Sequence, residues 1–259
     1  MIVSLSIARC GKNQPHVVCC QRGGVAFPKR NIYHFNRMKM FINRQNAVPR
    51  LHPVLLLFLV CVTAFCSLSA EERYIAIGQP DGRFILPAPP ATNSPEAIAD
   101  LASARAIFKA RTPSEEAHAI QSATLAFSLF APAVGPVLDL DKLPKTDALL
   151  QKVKKEVGDT INLPKNHWKR SRPYESDPAL LFGRPEKSDS YPSGHSTRGM
   201  LYALVMAELF PENRDAILNI GRGIGWDRVL IGKHYPTDIF AGRVLAIATM
   251  RELSASPLF

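Results

Sequence analysis

The amino-acid sequence predicts an all-α, single-domain helical bundle over residues 95–259. Helix-start signals recur at Ser94-Pro95-Glu96 and at Thr112-Pro113-Ser114-Glu115, where a capping side chain precedes proline and an early acid. Apolar residues then recur every three or four positions, as on the buried face of a helix. No run alternates with a period of two for long enough to predict a strand.

The predicted helices follow one another along the chain with short connections. We expect Pro95 to open a helix to about Ala110 and Pro113 to open a second to about Phe130. A third is predicted from Asp147 to about Asn162, because Pro164 should stop it. Three more are expected at about 195–210, 212–231 and 236–253.

The positive charge of the chain is concentrated before residue 71. The net charge is +10, but residues 1–70 hold nine Lys and Arg and no acid, whereas residues 71–259 hold 23 basic and 22 acidic residues. The second part is therefore close to neutral, which argues against a nucleic-acid binder.

Residues 38–70 have the features of a secretory signal peptide. Val54–Phe65 is a run of twelve apolar residues with basic residues before it and small residues after it. Because a bilayer span needs about 20 residues, we expect cleavage near Ala70 and a periplasmic or secreted product; an uncleaved anchor is the alternative. Residues 1–37 lack periodicity and are expected to be a mis-assigned start or a disordered extension.

The remaining patterns predict structure rather than cofactor chemistry. All five cysteines precede residue 67, and no His or Cys cluster has the spacing of a zinc site. The glycines of 221–225 lack the dinucleotide fingerprint and its βαβ context, so we expect them to serve close helix packing. Residues 71–94 are rich in proline and are expected to form an extended lead-in without a packed helix.

Two clusters of residues are suited to binding an anion. Lys165 and Arg172 are seven positions apart, so on a short helix opened by Pro164 both cations would share a face; Pro173 predicts a turn after Arg172. The string Pro192-Ser193-Gly194-His195 then opens a helix. The free N–H groups and positive dipole end of such a helix favour phosphate.

A third cluster, Asp227-Arg228 with His234 and Asp238, adds a candidate nucleophile. Pro236 is a natural first residue of a helix, which places Asp238 in the first turn. Its carboxylate can then reach back to the imidazole of His234 and fix its tautomer. The other ring nitrogen would be free to attack, which is the orienting logic of a catalytic triad with histidine as the nucleophile.

The order of these clusters resembles the PAP2 (type 2 phosphatidic acid phosphatase) superfamily. The motifs that carry the resemblance span residues 165–238, and a looser likeness extends over most of 84–254. The proline-rich start at 86–90, the leader and the longer string Ser190–His195 are similar to the class A bacterial non-specific acid phosphatases. The three motifs are Lys165-x6-Arg172-Pro173, Pro192-Ser193-Gly194-His195 and Arg228-x5-His234-x3-Asp238.

The resemblance implies a fold of the PAP2/vanadium haloperoxidase type and hydrolysis of phosphate monoesters without a metal or other cofactor. It implies that His234 forms a phospho-histidine, that Asp238 orients it, and that His195 protonates the leaving group and then activates water. An acidic optimum follows, because His195 must start protonated. The implied phosphate-binding residues are Lys165, Arg172, Ser193, Gly194 and Arg228.

Asp227 departs from the family pattern, which usually has serine before the third-cluster arginine. A carboxylate that pointed into the phosphate site would repel the substrate, so we expect Asp227 to turn outward or to pair with Arg228. Arg198, one turn into the helix that begins at His195, is a candidate to add compensating positive charge.

Two other functions share the implied fold. A vanadium-dependent haloperoxidase would hold vanadate where phosphate binds. A lipid phosphate phosphatase would usually be polytopic, whereas no charge-free, proline-free span of 20 residues follows the leader. The expected partners are small phosphate monoesters, with no nucleic acid and no stable membrane span after signal cleavage; the sequence leaves a homo-oligomer open.

Overall fold

A computed structural model of the chain describes residues 72–259, and this part is all-α as predicted. The predicted extension and signal peptide lie outside the described residues. Within 72–259 there is no strand, and no helix there combines the length and the hydropathy needed to cross a bilayer. The helices are α1 Gly82–Ile85, α2 Pro95–Ala110, α3 Pro113–Gln121, α4 Ala131–Val134, α5 Pro144–Trp168, α6 Pro173–Ser176, α7 Gly194–Leu209, α8 Arg214–Leu230 and α9 Pro236–Ala255, with 3₁₀ turns at Phe127–Phe130, Gly135–Val137, Pro178–Leu180 and Pro211–Asn213.

Helix α7 is the centre of the bundle and packs along both α8 and α9. Its buried side chains include Leu201 and Met206, which join Ile217 and Ile224 of α8 and Leu245 of α9 in one core. Burying each such side chain contributes about 1.5–3 kcal/mol. This packing fixes the relative positions of the helix ends at which the functional residues lie.

Glycines allow α7 and α8 to approach closely. A Cβ added at Gly221 would lie 2.5 Å from the Cβ of Ala203 and 2.8 Å from the carbonyl oxygen of Gly199. A Cβ added at Gly225 would lie 2.8 Å from Oγ of Ser196, in the first turn of α7. The glycine-rich stretch of α8 therefore packs against another helix at both positions.

Both helix-start signals form the predicted caps. The Ser94 hydroxyl accepts a hydrogen bond from the N–H of Ala97, with Pro95 as the first helical residue. Thr112 and Glu115 form a complete capping box, in which each side chain accepts from the other residue's backbone N–H.

Helix α3 ends at Gln121, so its predicted continuation to Phe130 is wrong. The next residue, Ser122, donates its hydroxyl to Asp227 of α8 at 2.6 Å. The chain then leaves the helix and forms the 3₁₀ turn 127–130, which buries two phenylalanine rings. Tertiary contacts therefore decide where this helix stops.

Helix α5 is longer than predicted and runs through Pro164, so the predicted stop there and a short helix beginning there are both wrong. A proline inside a helix removes one backbone hydrogen bond and costs about 3 kcal/mol. Pro164 is nevertheless buried, as are Ile161 and Lys165 on the same helix, and packing of this face offsets the cost. The helix ends at Trp168, and the next residue, Lys169, caps it in the left-handed conformation with φ 48°.

The lead-in after residue 71 is part of the packed domain. Contrary to the expectation of an extended segment, it contains the single turn α1, which packs on α5. The backbone N–H groups of Tyr74 and Ile75 donate to the carboxylate of Glu156 at 3.2 and 3.1 Å. Ile75 and Leu86 are both buried in the main core.

The close approach of α7 and α8 predicts that Gly221→Ala destabilises the protein. The added methyl group would overlap Ala203 and the backbone of Gly199, and overpacking of this kind costs about 1–3 kcal/mol. Gly223→Ala is the matched control, because a Cβ at that helical position meets nothing within 4 Å. Urea unfolding should show a lower midpoint for the first variant and an equal or higher one for the second; equal loss in both would contradict this packing.

Candidate active site

The residues singled out from the sequence meet where several helices begin or end. Lys165 lies in the last turn of α5, and Arg172 directly precedes α6. Ser193, Gly194 and His195 form the start of α7. Arg228 lies in the last turn of α8, and His234 and Asp238 bracket the start of α9.

His234 is a buried, neutral imidazole, of which one ring nitrogen is hydrogen-bonded to a carboxylate and the other faces a guanidinium group. It is 2% exposed, and its Nδ1 lies 3.2 Å from Oδ2 of Asp238. Its Nε2 lies 3.3 Å from Nη1 of Arg172. Burial, and then the charges of Arg172, Lys165 and Arg228, lower the pKa of His234 well below its usual value. The imidazole therefore donates from Nδ1 to the carboxylate and keeps a lone pair on Nε2.

Asp238 is held by donors on both of its oxygens. Arg170 donates to Oδ1 at 2.6 Å, and the Ser190 hydroxyl and the Tyr235 N–H donate to Oδ2 at 2.6 and 3.0 Å. The second guanidinium nitrogen of Arg170 donates to Asp100 at 2.7 Å. This network fixes the carboxylate that orients the imidazole. The sequence analysis did not identify Arg170 or Asp100, because nothing in the local pattern links α2 to α9.

Lys165 and Arg172 are aligned by the same loop. Lys165 Nζ donates to the carbonyl oxygens of Asp189 and, at 3.3 Å, Ser190. Arg172 donates to the carbonyl oxygen of Ser188 at 2.8 Å and to that of Asp189 at 3.3 Å. The two cations therefore share an acceptor, although the predicted common helix does not exist. Burial, and then the charge of Arg172, lower the pKa of Lys165 to about 7.

Arg228 is paired with an acid that the sequence analysis did not identify. Its Nη2 lies 2.5 Å from Oε1 of Glu186, and its Nε is buried without a hydrogen-bond partner among the described residues. Glu186 is held in turn by its own N–H, which donates to the Tyr174 hydroxyl at 3.0 Å. The carboxylate of Glu186 thus occupies a position beside the cations that a bound anion would compete for.

Asp227 points away from these cations. It is buried, and its carboxylate accepts from the Ser122 hydroxyl at 2.6 Å and lies 3.1 Å from Nδ1 of His118. The carboxylate thus turns away from the phosphate-binding cations, as one of the two expectations had it, and is buried against the end of α3. The alternative, a pairing with Arg228, is wrong, since Glu186 pairs with the arginine.

The start of α7 gathers further positive charge. The Ser193 hydroxyl accepts from the N–H of Ser196 at 3.2 Å and so caps the helix. A Cβ built on Gly194 would lie 3.2 Å from Nη1 of Arg198 and 3.9 Å from Cε of Lys165. Two cations therefore approach the free N–H groups of this helix end, which supports the expectation that Arg198 adds charge here.

His195 is also fixed through one of its ring nitrogens. Nε2 lies 3.0 Å from the carbonyl oxygen of Ala123, which can only accept, so Nε2 carries a proton and Nδ1 is the nitrogen left for chemistry. Burial, and then the charge of Arg228, lower the pKa of His195 to about 4. This imidazole is therefore neutral above about pH 4.

His195 and Arg228 line a cavity of about 290 Å³. Its polar wall also includes Glu186 and Lys233, and its apolar wall is formed by Ile120, Ala123, Phe182 and Ile231. A larger cavity of about 480 Å³ lies beside Arg170 and Tyr235, and its lining contains none of the site residues predicted from the sequence. Among the described residues, no group of three or more His, Cys, Asp or Glu side chains is arranged to hold a metal ion.

Comparisons with known proteins identify a family and several proteins that this chain resembles. The profile of the PAP2 superfamily matches residues 157–256, which contain all three motifs. The chain is 30% identical to a non-specific acid phosphatase of Providencia stuartii over 190 residues, 69% of this chain and 76% of that protein. It is 35% identical to an acid phosphatase of Zymomonas mobilis over 122 residues, 45% of this chain and 46% of that protein. A transmembrane PAP2-type phosphatidylglycerolphosphate phosphatase from Bacillus subtilis is similar in structure, with a TM-score of 0.46 and 18% identity over 78% of this chain and 92% of that chain.

The lowered pKa of Lys165 predicts that anion binding weakens above about pH 7. Below that value the ammonium group is charged; above it the free site loses this charge, and the affinity should fall by up to about tenfold per pH unit. Sulfate is the appropriate probe because its own charge is constant in this range. Calorimetric titration with sulfate, repeated at pH values from about 6 to about 9, measures the affinity.

Lys165→Gln serves as the control for that titration, since it should bind sulfate weakly and lose the decline. An unchanged affinity for the unmodified protein up to about pH 9 would mean that Lys165 keeps its ordinary pKa.

Proposed function

This chain belongs to the PAP2 superfamily, and from that premise we propose that it is an acid phosphatase that hydrolyses phosphate monoesters through a phospho-histidine on His234. The observation that carries the proposal is the state of this imidazole. It is buried and neutral, Asp238 holds its Nδ1, and its Nε2 lies 3.3 Å from Arg172. A lone pair directed at a cationic pocket suits attack on an anionic phosphorus centre.

In the first step, Nε2 of His234 forms a bond to phosphorus as the ester P–O bond breaks. The leaving oxygen takes a proton from Nδ1 of His195, and Asp238 stabilises the positive charge that develops on the His234 ring. Lys165, Arg172 and Arg228 face the charge on the phosphoryl oxygens, with hydrogen bonds from Ser193 and from the Gly194 N–H. These fixed donors stabilise the transition state.

In the second step, water attacks phosphorus and the P–N bond breaks. His195, now neutral, accepts a proton from the attacking water and is thereby protonated again, as it was before the first step. Inorganic phosphate then leaves. An entering phosphate group brings negative charge to Arg228 and displaces Glu186 from it. The same charge raises the proton affinity of His195, which is otherwise neutral above about pH 4. The positive charge required is supplied by side chains of this chain, so we expect activity to survive EDTA.

We further propose that the protein acts outside the cytoplasm, in the periplasm or as a secreted enzyme. The support comes from the sequence of residues 38–70, in which a basic stretch precedes a twelve-residue apolar run and small residues. Intact-mass analysis of the exported protein should give an N-terminus at about residue 70 or 71. Retention of the full apolar run in the mature protein would favour an uncleaved anchor.

The nucleophile assignment predicts that His234→Ala abolishes turnover. No other described group would hold the phosphoryl group, so acid-labile, alkali-stable phospho-protein should no longer form after rapid quenching with labelled p-nitrophenyl phosphate. His167→Ala, which removes an exposed histidine of α5, is the control and should behave as the unmodified protein. Normal trapping of phosphate in the His234 variant would refute the assignment.

The role of His195 predicts a dependence on the leaving group. A phenolate such as p-nitrophenolate leaves without a proton, whereas an alkoxide needs one. His195→Ala should therefore reduce kcat/KM for an alkyl phosphate by about 10²-fold or more, as for loss of a general acid, and reduce it much less for p-nitrophenyl phosphate. Comparison of the two substrates under conditions of phospho-enzyme formation measures this. Equal losses would show that His195 does not protonate the leaving group.

A further inference from the structure

We propose that Asp227 is a positioning residue for His195 and acts through the segment Ser122–Ala123. The inference rests on the proposed function, since it concerns the group that protonates the leaving oxygen. It also gives a role to the one position at which this chain departs from the pattern it otherwise follows.

The first link is the attachment of the end of α3 to α8. Asp227 is 4% exposed, and its carboxylate receives the Ser122 hydroxyl at 2.6 Å and faces Nδ1 of His118 at 3.1 Å. Both partners belong to α3 or to its C-terminal cap. A buried carboxylate requires such donors, because an unpaired charge in this position would be costly. The contacts therefore fix where α3 ends.

The second link is the peptide that follows. Ser122 is buried, and the next residue, Ala123, presents the carbonyl oxygen that lies 3.0 Å from Nε2 of His195. Of the described residues, no other accepts a hydrogen bond from this imidazole. The position of one carbonyl group thus sets the tautomer and the ring orientation of His195, and Asp227 holds that carbonyl in place through the adjacent residue.

The third link is chemical. With Nε2 donating to Ala123, the ring nitrogen that is left to exchange protons with the substrate is Nδ1. His195 and Arg228 line the same cavity. A shift of the ring that moved the Nδ1 proton by about 1 Å would misalign it with the leaving oxygen. A misplacement of that size can lower the rate by about 10²-fold. A serine at position 227 is one atom shorter, so its hydroxyl could not reach both Ser122 and His118 as Oδ2 of the carboxylate does.

The charge of Asp227 acts on the neighbouring Arg228, but the carboxylate makes no direct contact with the proposed phosphate site. The Asp227 carboxylate makes no hydrogen bond to Arg228, whose Nη2 is paired with Glu186. The carbonyl groups that orient Lys165 and Arg172 belong to the loop 188–190 and to Lys233, and the Asp227 carboxylate makes no hydrogen bond to these residues. Loss of the carboxylate should therefore disturb proton transfer more than phosphate binding.

The test uses Ser122→Ala and Asp227→Asn in the full-length protein, with Asp215→Ala, an exposed acid in the first turn of α8, as the control. We expect both variants to lose about tenfold or more of kcat/KM for an alkyl phosphate and less than about threefold for p-nitrophenyl phosphate. The inhibition constant for inorganic phosphate should change little. The control should match the unmodified protein on both substrates.

A double-mutant cycle with His195→Ala decides whether the effect passes through this imidazole. If it does, Ser122→Ala should add almost nothing to the loss already caused by His195→Ala. Equal losses on both substrates, or a further full loss in the His195→Ala background, would overturn the proposal. Should Asp227→Asn fold poorly, Ser122→Ala alone still tests it, because it removes one hydroxyl and leaves the contact of Asp227 with His118. Failure of the proposed function is recognised separately, as an unmodified protein that hydrolyses neither substrate.

Discussion

The buried carboxylate of Asp238 is the constraint on which the rest of the site depends. It is fully buried and accepts from the imidazole of His234, from Arg170 and from Ser190. A charge so removed from water is tolerated only with several donors, and each donor comes from a different part of the chain. The requirement to satisfy one carboxylate thus brings the start of α9, the segment after α5 and the loop before α7 to the same place.

The same site concentrates positive charge that burial makes unfavourable. Lys165, Arg172 and Arg228 all lower the pKa of His234, and the pKa of Lys165 is itself lowered to about 7. Backbone carbonyl groups and Glu186 partly balance these charges. An arrangement of this kind is poised for an anion, because a phosphoryl group removes repulsion that the protein alone cannot remove. The contacts made to the phosphoryl group and the loss of repulsion among the cations therefore both favour binding.

The sequence predicts those contacts of the site that are made between residues close together along the chain, and it does not predict those between distant segments. The pairing of His234 with Asp238 follows from four residues and a helix that starts at Pro236, so local geometry suffices. The course of the chain around Pro164 does not, since the cost of proline in a helix is offset by packing that only the folded chain provides. The partners of Asp227 and Arg228 lie on α3 and on the loop before α7. No spacing in the sequence points to contacts between such distant segments.

The most direct test of a single cationic pocket around a phosphoryl group is a crystal structure of the protein with orthovanadate, which adopts the geometry of phosphoryl transfer. We expect vanadium within bonding distance of Nε2 of His234, with its oxygens contacting Lys165, Arg172 and Arg228 and with Glu186 displaced from the arginine. Vanadate bound elsewhere, for example in the cavity beside Tyr235, with Nε2 of His234 still facing Arg172, would contradict it.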